Sequence, residues 1–477
     1  MLFSLAQHGG STAICAAGGR RVAYSELAQE AAEFAKAAGG RCLALMLCRN
    51  SPGMIACYAG FASSGVVPIM LGEHAPQDAV SGILSRYRPS LIVIPSAPTA
   101  ANPAKAFSGL PCEGAEKILE LDGVAVCRTG LADPPALHPD LALLLSTSGS
   151  TGSPKLVRIS MGNLEANARS IIKALGITLG DRAITALPMN YSYGLSVINT
   201  RLMAGAGLAV TDCGLMQKPF WDLFEHGGVT SFSGVPYSYA MLHRLGFDRA
   251  DHPGLVMMDQ AGGRLGEALQ QEFSSYCGAR GIKFFVMYGQ TEATARMACL
   301  PHELASSRIG CAGRAIEGGR FSIRGDGGAI LGPRQEGSLF YEGPNVAMGY
   351  AFDPSDLARG DNWRGVLDTG DRAVLDEAGF LYLRGRSSRF VKLFGNRVGL
   401  DDCAAMLERR FAGCEAACTG RDDLLLACIA GDADPKEARA YLAAATHIHQ
   451  SAFKVVRLKS LPRAPSGKIL YSRLPQP

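Results

Sequence analysis

The chain has 477 residues, of which 47% are hydrophobic and 19% are charged, so the composition excludes a mainly disordered protein. Its length predicts about three domains. The net charge of +4 is small and dispersed, which excludes a basic nucleic-acid-binding surface. No apolar run reaches the ~20 residues of a membrane span, and the N-terminus lacks the pattern of a secretory signal.

The chain contains 14 cysteines but no CxxC pair. Cys414 and Cys418, the closest two, have no histidine nearby, so we expect neither a metal cluster nor a disulfide framework. Reduced thiols favour a cytoplasmic protein. Glycine, by contrast, occurs 57 times, well above the average share of about 7%. This excess indicates tight turns or close backbone approach.

Helical and strand patterns alternate over the first 140 residues. Residues 25–38 place their apolar side chains on one stripe and predict an amphipathic helix. Short apolar runs predict strands that are buried on both faces. These predicted strands are 42–47, 66–71, 91–95, 183–189, 207–211 and 283–287. Because helical stretches lie between them, the pattern predicts a parallel sheet with crossover helices.

The texture changes from about residue 309 to residue 384, where segments such as GRFSIRGDGGAI and EGSLFYEGP are glycine-rich and alternating. Such segments predict antiparallel hairpins. A small tail follows. Its predicted helices and strands are 401–411, 424–429, 436–445 and 453–458.

The predicted fold class is therefore α/β. Residues 1–387 form a large N-terminal body, with parallel-sheet α/β subdomains over about 1–308 and a small β-rich subdomain over about 309–387. Residues 388–477 form a small, mobile α+β C-terminal domain. The predicted organisation is thus one composite body and a small lid, and not the three equal domains that the length alone suggests.

The most informative segment is LLLSTSGSTGSPK, residues 143–155. A leucine run typical of a buried strand opens into hydroxyl and glycine residues and ends on a lysine. Glycines let backbone N–H groups turn toward an anion, and hydroxyls and lysine add donors and charge, so the segment predicts a phosphate-binding loop. The alternative is a flexible Ser/Gly linker. The candidate residues are Thr147, Ser148, Gly149, Ser150, Thr151, Gly152 and Lys155.

This loop resembles the phosphate-loop signature of the adenylate-forming enzymes, a superfamily of acyl-CoA synthetases, nonribosomal peptide synthetase adenylation domains and firefly luciferase. Further matches follow in order from about Tyr24 to Tyr471. The resemblance implies that ATP and Mg²⁺ activate a carboxylic acid as an acyl-adenylate, with release of pyrophosphate. A thiol, from CoA or from the phosphopantetheine of a carrier protein, then displaces AMP.

The segment VMYGQTE, residues 286–292, matches a nucleotide motif of that superfamily. The resemblance implies that Tyr288 lies against the adenine, followed by a turn at Gly289. It also implies that Thr291 contacts phosphate and that Glu292 helps to hold Mg²⁺. An aromatic face suits a base, and a carboxylate suits a hard cation beside phosphates.

Two further segments match nucleotide contacts. In QAGGRL, Gly262, Gly263 and Arg264 match a glycine-rich turn that flanks the adenine. The match is partial at Arg264, and a structural turn is an equally good interpretation. In VLDTGD, Asp371 matches the acceptor of the ribose hydroxyls, and an acceptor-only side chain suits a vicinal diol. Arg386 matches a residue that reaches the ribose or phosphate region.

The C-terminal segment LPRAPSGKILY resembles the catalytic-lysine motif, with Lys468 as the match. A cation between the carboxylate and the α-phosphate lowers their repulsion as they react. The resemblance places Lys392 and Gly395 beside the tunnel for the thiol arm. It places the hinge at Ser388, where Asp or Lys is usual, and the lid is expected to rotate about it between the two steps.

The segment LPMNYSYGLS, residues 187–196, resembles the part of the family that forms the acyl pocket. Amino-acid-activating members place an aspartate there, whereas this chain offers Tyr191 and Ser192. A buried ammonium without a counter-charge is costly, so we expect an acid without an α-amino group. Arg296 either faces the pocket or is a structural arginine. The pocket candidates are Tyr191, Ser192, Gly194, Leu195, Gly234 and Arg296.

Three functional classes remain open at this point. The first is an acid–thiol ligase that makes an acyl-CoA. The second is a stand-alone adenylation enzyme that loads a separate carrier protein. The third is an inactive homologue that acts as a binding module, which the intact Lys468, Glu292 and Asp371 disfavour. The oligomeric state also remains open.

Overall fold

The computed structural model describes residues 3–96, 112, 114–146, 155–386, 389–394, 396–446, 448–465 and 467–476, with the backbone alone at 386, 396 and 397. Its α-helices are α1 (Tyr24–Ala38), α2 (Pro52–Ser64), α3 (Gln77–Tyr87), α4 (Met161–Leu175), α5 (Ser192–Ala204), α6 (Lys218–His226), α7 (Pro236–Arg244), α8 (Glu267–Ala279), α9 (Leu400–Arg410) and α10 (Pro435–Thr446). No helix of this described part is long and apolar enough to cross a membrane.

A nine-stranded sheet forms one half of the body. Its strands, in spatial order, are Arg314–Ala315, Ala298–Leu300, Lys283–Tyr288, Met257–Gln260, Ser231–Gly234, Arg182–Ile184, Gly207–Val210, Thr12–Ala16 and Arg21–Ala23. The central strands run parallel, and antiparallel pairs close both edges. Parallel strands place their carboxyl ends at the same edge, where α/β proteins bind ligands.

An eight-stranded sheet forms the second half. Its strands, in spatial order, are Gly349–Ala351, Leu156–Ser160, Leu141–Ser146, Val67–Gly72, Leu43–Cys48, Leu91–Pro95, Val124–Arg128 and Glu116–Leu121. Its centre is parallel and its edges are antiparallel. The helices α1 and α2 are packed against each other and belong to one hydrophobic cluster with strands of both sheets.

Three smaller sheets complete the described chain. The four-stranded antiparallel sheet contains Arg320–Arg324, Gly337–Glu342, Val366–Leu375 and Leu381–Arg386. The remaining sheets are a hairpin of Phe390–Leu393 and Asn396–Gly399, and a three-stranded sheet of Glu415–Arg421, Leu424–Ala430 and Phe453–Leu458. Two hydrophobic clusters consist only of residues from Val391 to Leu474, so the tail has a core of its own.

The predicted elements match the structure closely, and the α/β fold class is confirmed. The predicted hairpins form the four-stranded sheet, although Gly349–Ala351 leaves it and pairs with Leu156–Ser160. The strand predicted over 183–189 ends at Ile184. It ends there because the backbone turns at Ala186, whose N–H donates to the Ile184 carbonyl, and because Pro188 has no N–H for a ladder.

Candidate active site

The candidate site lies at the carboxyl edge of the nine-stranded sheet. The strands Ser231–Gly234, Met257–Gln260 and Lys283–Tyr288 are neighbours there, with Ser233 opposite Asp259 in the register. Each of the three strands ends in a segment that carries predicted site residues. The sheet therefore brings together motifs that are about thirty residues apart in the sequence.

Tyr288 and Asp371 form a buried pair. The Tyr288 hydroxyl donates a hydrogen bond to Asp371 Oδ2, and both residues are less than a tenth exposed. Asp371 lies in the strand Val366–Leu375, where its own N–H donates to Thr369 Oγ1. A carboxylate at this position suits an acceptor of hydrogen bonds from ribose hydroxyls.

A second constellation links Glu292 to Lys155 through Tyr350. The Tyr350 hydroxyl donates to Glu292 Oε1 at 2.7 Å, and Lys155 Nζ lies 4.0 Å from the centroid of the Tyr350 ring. This position is fixed because Tyr350 pairs with Val157, two residues after Lys155, across neighbouring strands. The cation–π contact therefore holds Lys155, the lysine of the predicted phosphate loop, near Glu292, the carboxylate predicted to bind Mg²⁺.

Two predicted glycines allow close approach around these groups. A Cβ on Gly289 would lie 1.7 Å from the carbonyl oxygen of Ala295, so no other residue fits there. Gly262 has a φ of +81°, and a Cβ there would lie 2.5 Å from the Tyr191 hydroxyl. Only glycine adopts this left-handed conformation without strain, and it leaves the Tyr191 ring room beside the turn.

The C-terminal tail also contacts the candidate site. Lys468 Nζ lies 4.9 Å from the centroid of the Tyr191 ring. The Arg463 guanidinium lies 4.8 Å from the ring of Tyr237 at the start of α7, and Arg463 donates to the Gly467 carbonyl at 2.9 Å. These contacts set the loop that carries Lys468 against the body, next to a predicted acyl-pocket residue.

The other acyl-pocket candidates surround the first turn of α5. Ser192 Oγ lies 3.0 Å from Thr291 Oγ1, which joins the acyl segment to the nucleotide segment. Gly194 and Leu195 are buried in α5. Gly234 is the last residue of its strand, and a Cβ there would meet the Phe232 and Tyr239 rings. A side chain at position 234 would therefore point into the hydrophobic core beside the sheet.

Arg296 is fully buried and contacts Asp259. Its Nη1 lies 3.2 Å from Asp259 Oδ1, and its guanidinium lies 4.7 Å from the centroid of the Tyr193 ring. Asp259 also accepts hydrogen bonds from the Tyr193 hydroxyl at 2.7 Å and from Ser233 Oγ at 2.6 Å. Because burial raises the pKa of Tyr193 well above its usual value, the phenol stays a donor at neutral pH.

Three of these residues, Tyr193, Asp259 and Tyr350, are not predicted from the sequence. Asp259 had a visible signal, because a carboxylate within the apolar run LVMMDQ demands a buried partner. Tyr350 had none, since its role depends on the pairing of two strands almost two hundred residues apart.

Some of the predicted site residues are exposed, and others lie outside the described part of the chain. Arg264 is exposed and pairs with Glu267 at 3.2 Å, so it remains only a candidate for contact with adenine. Lys392 is exposed on the hairpin after residue 389. The residues outside the described part are Thr147, Ser148, Gly149, Ser150, Thr151, Gly152, Ser388 and Gly395, together with the side chain of Arg386.

Glu415 joins the tail to the body. Its carboxylate receives Arg244 of α7 at 2.8 Å and Arg463 of the lysine loop at 2.9 Å. We expect Glu415→Gln to slow pyrophosphate release by about 2- to 5-fold, because each such partly exposed ion pair contributes up to about 1 kcal/mol. Transfer from a supplied acyl-adenylate should not slow. The matched control is Glu437→Gln at an exposed position of α10; equal rates for the two variants would contradict a role for Glu415.

The fold is shared with solved adenylate-forming enzymes. The o-succinylbenzoate CoA synthetase of Bacillus subtilis, solved with the acyl-adenylate intermediate OSB-AMP, superposes with a TM-score of 0.79 at 22% identity, over 98% of this chain and 97% of that one. ATP-bound MatB from Rhodopseudomonas palustris superposes with a TM-score of 0.78 at 20% identity, over 98% and 97% of the two chains.

The sequence matches the family model described as AMP-binding enzyme over residues 3–351, so the chain belongs to that family. A 2-succinylbenzoate–CoA ligase of Geobacillus sp. is 31% identical over 60% of this chain and 56% of its own length. One from Bacillus mycoides is 28% identical over 69% of each chain. The matched region thus spans little more than half of the first relative and about two thirds of the second.

Proposed function

We propose that the protein is an AMP-forming acid–CoA ligase. The observation that carries this proposal is a set of contacts around the carboxyl edge of the nine-stranded sheet: Lys468 lies over the Tyr191 ring, Tyr288 donates to Asp371, and Tyr350 joins Lys155 to Glu292. Family membership and the CoA ligase relatives support the same activity.

In the first step, a carboxylate oxygen of the acid attacks the α-phosphorus of ATP, and the bond to the bridging oxygen of pyrophosphate breaks. Asp371 accepts hydrogen bonds from the ribose hydroxyls, while Lys155 and Thr291 bind phosphate oxygens. Lys468 reduces the repulsion between the carboxylate and the α-phosphate. Most of the rate enhancement comes from positioning and charge neutralisation.

Magnesium fits the Glu292 carboxylate, because this cation takes one or two carboxylates together with substrate phosphates. When bound, it would neutralise charge on the phosphates that leave as pyrophosphate. The Tyr350 hydroxyl holds one oxygen of Glu292, which orients the other oxygen for a ligand.

In the second step, the thiol of CoA attacks the acyl carbon and AMP leaves. We propose that residues 388–477 move as a lid between the two steps, about a hinge at Ser388, with Lys392 and Gly395 beside the thiol. The separate tail core supports this division. We also propose a cytoplasmic location, which the fourteen unpaired cysteines support.

The acid is proposed to lack an α-amino group. The pocket segment has no acid at Tyr191 or Ser192, and Asp259 is already engaged by Tyr193, Ser233 and Arg296. A substrate ammonium would therefore stay without a free counter-charge, which is costly in a buried site.

The test is a pyrophosphate-release screen with ATP, Mg²⁺ and aliphatic, aromatic and amino acids, run with and without CoA. We expect turnover with one or more acids, and conversion to the acyl-CoA when CoA is added. The acid named by the relatives, 2-succinylbenzoate, is the first to include. Turnover only after addition of a holo carrier protein would identify the adenylation-enzyme alternative. No pyrophosphate with any acid would contradict the proposal.

A further inference from the structure

A buried ionic cluster lies next to the acyl-pocket residues, and no step above uses it fully. Arg201, Arg296 and Asp259 are all completely buried. Burial lowers the pKa of Arg201 to about 10, which still leaves it protonated at neutral pH. Asp259 is the carboxylate in contact with Arg296, whereas Arg201 donates to Thr200 Oγ1 and Ser231 Oγ. With two guanidinium groups and one carboxylate, the cluster carries an excess of positive charge.

The hydrogen bonds of Arg296 are incomplete. Its Nη1 contacts Asp259 Oδ1 and, at 3.2 Å, the sulfur of Met287. Its Nε and Nη2 are buried and have no hydrogen-bond partner within the described part of the chain. Burying such donors without an acceptor is costly. The buried Arg158, by contrast, donates to the carbonyls of Met348, Tyr350 and Arg359, and the buried Arg201 lacks a partner only at Nε within the described part of the chain.

Three successive contacts connect this arginine with the proposed reaction centre. Lys468 Nζ lies over the Tyr191 ring. The Tyr191 ring meets the Tyr193 ring edge to face, at 6.3 Å between centroids. The Arg296 guanidinium lies over the Tyr193 ring. An acid whose carboxylate lies at Lys468 and whose body runs along Tyr191 and Tyr193 would end at Arg296.

We propose that Arg296 closes the far end of the acyl pocket and binds a second carboxylate of the substrate, which makes the substrate a dicarboxylic acid. The Nε and Nη2 donors lie on one edge of the guanidinium plane, and this edge pairs with both oxygens of a carboxylate. The added negative charge balances the second buried guanidinium. This inference rests on the proposed ligase function, because it assigns the other carboxylate to adenylation.

The experiment compares matched acids. The first pair is 2-succinylbenzoate and 4-oxo-4-phenylbutanoate, which lacks the ring carboxylate; the second is adipate and hexanoate. For the full-length protein we expect kcat/KM for pyrophosphate release to favour the diacid of at least one pair by roughly 10- to 100-fold, the range for a hydrogen-bonded charge pair. Arg296→Gln should reduce this preference below about 3-fold, mainly through KM for the diacid.

Arg296→Lys keeps the charge but cannot pair with a carboxylate through two parallel N–H donors. It should therefore keep part of the preference, and it replaces the glutamine variant if that variant does not fold. The matched control is Arg320→Gln, at an exposed arginine paired with Glu342 on the surface, which should keep the wild-type preference.

A thermal-shift measurement with each acid alone separates the two proposals. If the diacid raises Tm of the wild type but not of the Arg296 variants, and no acid releases pyrophosphate, the ligase proposal fails and only the binding of a carboxylate by Arg296 stands. If monoacids are activated as well as diacids, or if the Arg296 variants lose all acids equally, the inference is overturned and the ligase function stands. If no acid gives pyrophosphate release or a thermal shift, both are overturned.

Discussion

Replacing Lys468 with alanine is expected to reduce pyrophosphate release by about 10²- to 10³-fold, the usual cost of removing one preorganised electrostatic stabiliser. Lys468 Nζ lies over the Tyr191 ring at the acyl segment, where the carboxylate and the α-phosphate would meet. The two half-reactions are measured separately: pyrophosphate release from ATP and the acid, and acyl-CoA formation from a supplied acyl-adenylate.

The second half-reaction should change by no more than a few-fold, because the thiol attacks the acyl carbon after pyrophosphate has left. Lys454→Ala is the control, since Lys454 is exposed on a strand of the same tail. An equal loss in both half-reactions would contradict the assignment of Lys468 to the first step, as would full activity of the Lys468 variant.

Replacing Asp259 with alanine is expected to destabilise the body by about 3–5 kcal/mol, because it leaves the buried Arg296 guanidinium without its carboxylate. The Tyr193 hydroxyl and Ser233 Oγ would also lose an acceptor. At this size of loss, we expect Tm to fall by at least about 5 °C. Scanning calorimetry or urea unfolding of the full-length chain measures the effect.

Asp212→Ala is the matched control, because Asp212 is half exposed and only weakly paired with Arg49. It should change the free energy of unfolding by less than about 1 kcal/mol. Asp259→Asn keeps the shape and an acceptor, and its Tm should lie between those of wild type and Asp259→Ala. If the three variants have the same Tm, Asp259 does not compensate the charge of Arg296.

The Arg296–Asp259 contact connects stability with specificity. The same arginine uses Nη1 for the aspartate, and its buried Nε and Nη2, which lack a hydrogen-bond partner in the described part of the chain, are proposed to bind the substrate. A dicarboxylic substrate would therefore increase the stability of the folded protein by mass action. Under this proposal, the two interpretations of Arg296 from the sequence, structural residue and pocket residue, describe different edges of one guanidinium.

The sequence by itself determined the features that depend on local order. The strands predicted from the apolar runs at 143–145 and 283–287 and the helix predicted at 401–411 follow from local patterns, and the structure has the strand Leu141–Ser146, the strand Lys283–Tyr288 and α9 there. The family can be recognised from these motifs because the functional residues of each motif lie within a few consecutive positions of the sequence.

The tertiary structure alone decided which distant residues meet. Asp259 faces Ser233, Tyr193 and Arg296 because the register and the α5 helix bring them to one sheet edge. Tyr350 reaches Lys155 and Glu292 because a short strand crosses to the other sheet. A sequence cannot show such contacts, since strand order is set by long-range packing and not by spacing along the chain. The glycine excess has the same explanation in part: the need for glycine at position 289 comes from the carbonyl of Ala295, which only the folded chain brings there.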